Sequence, residues 1–242
     1  MNEQEFKSKD STVDQSRLPG IHRPNLNLAS NVAQAESNAD ANATRYPDPT
    51  QPKVLISMDI ESLALGPRPI ITEIALLGYD LEEGELLPQH HVHNYPVEPQ
   101  QALIPPREIH LGTLIARADW THSKGIDFGA ELKKSASSDF EDLASLCRNF
   151  VAVFHQLTQN GKVPYELVCA RPQFDAVAVE SLLKEVGLIA PWGYDTVIDV
   201  RTMLKRAGIN HKNVPWPKNV TPHMAWGDAR WQIDQYLAAV RG

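Results

Sequence analysis

The chain has 242 residues and a formal net charge of −7. Hydrophobic residues make up 42% and charged residues 22%, a balance that supports a folded core and excludes a wholly disordered chain. The acidic balance argues against a protein that coats nucleic acid by bulk electrostatics, and no long apolar run offers a membrane span or a secretory leader. In chain order, residues 1–52 come first and read as a flexible tail. They are rich in Asn, Ser, Asp, Gln, Ala and Pro, with little to bury. A helix over 28–43 would have almost no apolar face, and docking of the tail on a partner stays open. The folded domain is expected over 53–242.

That domain opens at KVLISMDIES, an apolar run ending in acids, which predicts a buried central strand. IITEIALLGYD, a turn at EEGE and ELLPQHHVHNYPV predict two more strands joined as a hairpin. A helix is expected over 107–118 within a segment that is otherwise hard to read. DFEDLASLCRNFVAVFHQLTQNG predicts an amphipathic helix capped by Ser138 or Asp139 and followed by Gly161. YELVCA is a strand, QFDAVAVESLLKEVG a helix, TVIDV a short strand and RTMLKRAG a helix. TPHMAWGDARWQIDQYLAAVRG predicts a last helix with Pro222 near its first turn. The order of elements implies an α/β fold with one mixed sheet flanked by helices. Cys147 and Cys169 match no zinc spacing and make no disulfide framework, and a cytoplasmic location follows from their use.

Five residues draw attention as bearers of chemistry. Asp59 and Glu61 stand two apart on a strand, so their side chains share a face. Two acids at the carboxyl edge of a central strand are costly unless a cation lies between them. Asp175 opens a helix after YELVCA, where its plain reading is an acid favoured by the helix dipole. Asp228 sits in AWGDARW, a surface on which an acid needs a reason, and His223 precedes it by five residues. Singly, each has an ordinary structural explanation: Asp-x-Glu is common, and a lone histidine at a helix entry is usually a cap.

Together, in this order, the five resemble the DEDDh 3′–5′ exonucleases, which have a ribonuclease H-like fold. The resemblance spans about 53–240. MDIESLALGPRPIITEIALLGYD and YDTVIDVRTMLKR are most similar to the bacterial and phage exonucleases of the RNase AS and DexA kind, and HMAWGDAR resembles the family's His-x-Ala-x-x-Asp-Ala segment. It implies that Asp59, Glu61, Asp175 and Asp228 bind two divalent cations and that His223 is the general base. It also implies a single-stranded nucleic-acid 3′ end as substrate, with RNA or DNA both open. Ser62 stands where the family usually has Thr, and ARPQF replaces a segment with Asn or Gly, so Arg171, Gln173 and Phe174 are candidates for strand contact. Trp226 and Gly227 replace a more ordinary Leu-x pair.

The chemistry agrees with the residue types. Phosphodiester hydrolysis needs an activated water and charge stabilisation at the leaving oxygen, which paired cations supply. An all-carboxylate donor set suits Mg²⁺ or Mn²⁺ rather than structural Zn²⁺. Between Asp199 and Asp228 no acid occurs, whereas Arg201, Lys205, Arg206, Lys212 and Lys218 do, a block that either steers phosphates or is a solvated face. Trp216 reads as a loop anchor before it reads as a base-stacking platform. His90, His91 and His93 read as a strand of alternating exposure before they read as a metal site. A silent nucleic-acid-binding module and a ribonuclease H-type endonuclease are the other functional readings, and a homodimer stays open.

Overall fold

The computed structural model of the protein describes residues 52–95, 107–130 and 142–241. The expected tail falls outside these residues, apart from Pro52. Three antiparallel strands come first: β1 (Val54–Ser62), β2 (Ile71–Asp80) and β3 (Glu85–Asn94). Helices α1 (Leu111–Ser123) and α2 (Leu143–Leu157) follow, then strand β4 (Tyr165–Cys169) and helix α3 (Asp175–Glu185). Strand β5 (Val197–Asp199) leads directly into α4 (Val200–Arg206), and α5 (Ala225–Arg241) ends the domain. The sheet order is β3-β2-β1-β4-β5, with β4 and β5 parallel to β1 and β2 antiparallel to it. This mixed sheet flanked by helices is the ribonuclease H-like layout that the resemblance implies.

β1 is central because both its faces are apolar. Val54, Ile56, Met58 and Ile60 pack into one core with Leu146, Phe150 and Phe154 of α2 and Val179 and Leu182 of α3. Leu55 packs into a second core, against Ala225, Ala229 and Ile233 of α5. Strand alternation then decides the site. Leu55, Ser57, Asp59 and Glu61 form one row, and α5 lies across it: the Ser57 hydroxyl donates to Ala229 O at 2.8 Å. The two acids are the end of a row whose beginning is buried against α5.

α2 follows from its spacing. Leu143, Leu146, Cys147, Phe150, Val153, Phe154 and Leu157 are all buried, the i, i+3, i+4, i+7 stripe of an amphipathic helix. Each large side chain buried this way contributes roughly 1.5–3 kcal/mol. Its cap is Asp142, whose carboxylate accepts from Ser145 N at 2.6 Å, and not Ser138 or Asp139, which lie outside the described residues. α1 starts later than the 107–118 expected. Glu108 N and His110 N donate to Arg68 O and Leu63 O, which ties this backbone to the loop after β1 before a helix can begin. α5 also starts later, at Ala225, so Pro222 lies in a turn outside it. His223 has φ 58°, a left-handed backbone that cannot continue a helix. Among the described residues, no helix is long and apolar enough to cross a membrane.

Candidate active site

Four segments meet at the carboxyl ends of β1 and β4. β1 brings Asp59 and Glu61, the first turn of α3 brings Asp175, the turn before α5 brings His223, and the first turn of α5 brings Asp228. All five line one cavity of about 170 Å³, together with Arg171, Arg201, Gln232, Gln235 and two tryptophans, Trp216 and Trp231. Asp59, Glu61 and Asp228 each offer an oxygen, and these lie within 4.8 Å of one another. Oxygens that share one hard cation at roughly 2.0–2.6 Å sit at most about 4–5 Å apart, so the spacing suits a common ion. Asp175 stands outside that trio but faces the same cavity.

Each acid is held by its neighbours. Gln232 donates to Asp59 Oδ1 at 2.8 Å, and Ser57 in turn donates to Gln232 Oε1 at 3.3 Å. Asp175 Oδ2 accepts from Arg171 N at 3.1 Å. Asp228 Oδ1 accepts from His223 N at 3.0 Å, which fixes the left-handed turn. The His223 ring is 60% exposed, with Nδ1 3.9 Å from Asp228 Oδ2, and it packs edge-on against Trp120 of α1 at 5.0 Å. Glu61 pairs with the Arg117 guanidinium, also of α1.

The charges are uncomfortable together. Burial, then Asp175, Asp228, Glu61 and Glu73, hold the Asp59 carboxyl well above the usual carboxylate range. Burial pushes Glu61 up to about 8, against the pull of Arg117. It pushes Asp175 up to about 7, against the Arg171 backbone N–H and charge. Asp228 is raised by burial too, with His223 N–H opposing. Such a cluster is short of positive charge, and the ligand atoms it gathers, on Asp59, Glu61 and Asp228, are all carboxylate oxygens. The residues fit a hard divalent cation.

Four contributors escaped the sequence reading. Gln232 lies four residues after Asp228 on the buried face of α5, and a glutamine at that spacing was the available signal. Glu73, opposite Glu61 across the β1–β2 ladder, accepts from Ala225 N at 3.2 Å and so caps α5. Arg117 and Trp120 sit on a helix whose burial pattern gave no hint of a role. Gly227 is explained by the fold: a Cβ there would meet Thr221 O at 2.2 Å, so the turn can approach α5 only with glycine.

The candidates for strand contact divide. Ser62, Arg171 and Phe174 line a neighbouring cavity of about 260 Å³ with Leu65, Arg117 and Trp120. The Ser62 hydroxyl donates to Ala64 O at 2.9 Å, and the Arg171 guanidinium lies 5.7 Å from the Phe174 ring centre. Arg201 reaches the acidic cavity and also a shallow groove of about 420 Å³ with Lys205 and His211. Gln173, Arg206 and Lys212 are exposed and line none of these three spaces. Trp216 stacks on Trp231 at 4.1 Å, as a loop anchor does. His91 is buried, its ring nitrogens bonded to Asn149 Oδ1 at 2.7 Å and Tyr95 OH at 3.0 Å.

Residues 55–240 match the model of the 3′–5′ exoribonuclease Rv2179c-like domain. Among solved structures, the chain is similar to the cell-death related nuclease 4 (CRN-4), with 13% identity and a TM-score of 0.41. The match covers 77% of this chain and 62% of that nuclease, so the chain spans less than two thirds of its length. No curated protein matches it with comparable significance. The family match covers most of the chain, and the protein belongs to the Rv2179c-like 3′–5′ exoribonuclease domain family.

Proposed function

We propose that the protein removes nucleotides from the 3′ end of single-stranded RNA by metal-dependent hydrolysis. The observation that carries this reading is the convergence of Asp59, Glu61, Asp175, His223 and Asp228, from four separate segments, on one cavity. The exoribonuclease activity by which the family is described supports RNA as the substrate. Asp59, Glu61, Asp175 and Asp228 would hold two divalent ions, Mg²⁺ or Mn²⁺. When bound, these ions would lower the cost of ionising water and of charge on the departing oxygen.

The chain's own groups do the rest. His223 takes the attacking water's proton on its imidazole ring. The water oxygen bonds to phosphorus, the bond from phosphorus to the bridging oxygen breaks, and the departing oxygen keeps the bonding pair and takes a proton from solvent to leave as a hydroxyl. Asp228 holds the His223 turn through the backbone N–H, so base and ligand move together. Gln232 orients Asp59. Ser62, Arg171 and Phe174 supply the wall beside the cation site, and Arg201 and Lys205 the positive approach to it. Residues 1–52 stand outside this machinery, since every proposed group lies beyond them.

The test is degradation of 5′-labelled single-stranded RNA and DNA with Mg²⁺, Mn²⁺ or EDTA. The expected result is a ladder shortening from the 3′ end, faster on RNA and abolished by EDTA. Binding of RNA without any turnover in either metal would leave a silent binding module in its place.

A further inference from the structure

Glu61 stands between the two neighbouring cavities. On one side its carboxylate faces Asp59 and Asp228. On the other it meets Arg117, which lines the 260 Å³ cavity but not the acidic one. The ion pair is well covered, with the two side chains 13% and 12% exposed. One carboxylate therefore has two claimants, a guanidinium now and a divalent cation when one is bound. Two positive charges on a single carboxylate repel each other, and the more so where water is largely excluded. A guanidinium keeps its charge, and its planar fork fits a phosphate as well as it fits a carboxylate. The helix that carries Arg117 is lightly anchored: Thr121 is its buried residue, while Leu111 and Ile115 are exposed.

Resting on the proposed function above, we propose that Arg117 is an exchangeable counter-ion and the phosphate ligand of the bound strand end. Without cations it pairs with Glu61 and orients it. When cations take Glu61, Arg117 transfers to a phosphate oxygen lying between the two cavities. Metal loading and strand binding are then linked through one side chain.

The two halves of this proposal have opposite signs in one variant. In Arg117→Ala, Mn²⁺ alone, titrated calorimetrically without nucleotide, should bind roughly 3–10-fold more tightly, because a like charge has gone. Adenosine 5′-monophosphate, titrated at saturating Mn²⁺, should bind about tenfold or more weakly, because a charged phosphate contact has gone. Arg117→Lys keeps the charge, so its Mn²⁺ affinity should stay near wild type and nucleotide binding should partly recover. Circular dichroism confirms folding, and Arg117→Gln replaces the alanine variant if that one unfolds. Weaker Mn²⁺ binding in Arg117→Ala would overturn the proposal, since Arg117 would then only prop Glu61. Unchanged nucleotide affinity would also overturn it. The Mn²⁺ titration does not depend on RNA turnover, so a wild type that binds Mn²⁺ but leaves RNA intact would fail the functional reading alone.

Discussion

On the β1–α5 side of the site, Asp59, Asp228 and Glu73 are tied into the fold. Asp59 is bonded to Gln232, which is 1% exposed, and Ser57 joins Gln232 to the α5 backbone. Asp228 grips the His223 turn, and Glu73 caps α5 itself. On the α1 side, Arg117 and Trp120 reach the same site from a helix with one buried residue among those described. The first side can hold ligand atoms in place against mutual repulsion, because core burial and backbone hydrogen bonds resist their separation. The second side has little core to resist movement. The contrast teaches that one wall of the site is built for fixed geometry and the other for contact that can be exchanged.

The largest expected effect lies at the seam between the two sides. His223→Ala should lower kcat by about 10²–10⁴-fold, the range for losing a positioned base. Mn²⁺ affinity should stay within a few-fold of wild type, because His223 is not among the proposed ligands. Full activity with an unaltered pH–rate profile would remove His223 from the mechanism.

The next effect concerns pH on the fixed side. Without metal, Glu61 at about 8 and Asp175 at about 7 retain protons at neutral pH, and Asp59 is also raised. Cations must displace those protons, so apparent Mg²⁺ affinity should rise between pH 6 and 8, by up to about tenfold per pH unit for each proton released. Stability runs the other way. The folded acids hold protons that the unfolded chain has lost above about pH 4. The stabilisation is complete below that value and is lost as pH rises through 7 to 8. Metal-free Tm should therefore fall from pH 5 to pH 8, and saturating Mg²⁺ should restore it. A Tm that rises over that range without metal would show that the acids are not held protonated.

The smallest pair of effects separates the walls directly. Gln232→Leu should weaken Mn²⁺ binding by about 10–100-fold, the usual result of removing a partner that orients a ligand. Trp120→Leu should leave Mn²⁺ affinity unchanged and lower kcat by only several-fold, since it frees the His223 ring without touching an acid. Calorimetry and single-turnover rates for both variants decide this. Equal losses of metal affinity in the two would erase the distinction between a fixed and an exchangeable wall.

Much of this was legible in the residues themselves. The apolar run before Asp59 required a strand buried on both faces, and period-two alternation put Asp59 and Glu61 on the same face without any structure. The stripe from Leu143 to Leu157 required a helix, and five chemically matched residues in family order pointed to the fold and the site. Local pattern carries such information because strand and helix periods depend on neighbours a few residues apart. The start of α5 was less legible, because it depends on Glu73, about 150 residues away, and on the left-handed turn at His223. The division of the basic block was not legible at all. Arg201 and Lys205 border a common groove while Arg206 and Lys212 do not, and spacing along the chain cannot say which face of α4 meets it. Likewise Arg117 on Glu61, Trp120 on His223 and Gln232 on Asp59 join residues 56, 103 and 173 positions apart. Sequence determined which groups carry charge and which segments bury themselves; only tertiary packing decided which charges meet, because the energy of an ion pair depends on distance in space, and chain separation says nothing about that.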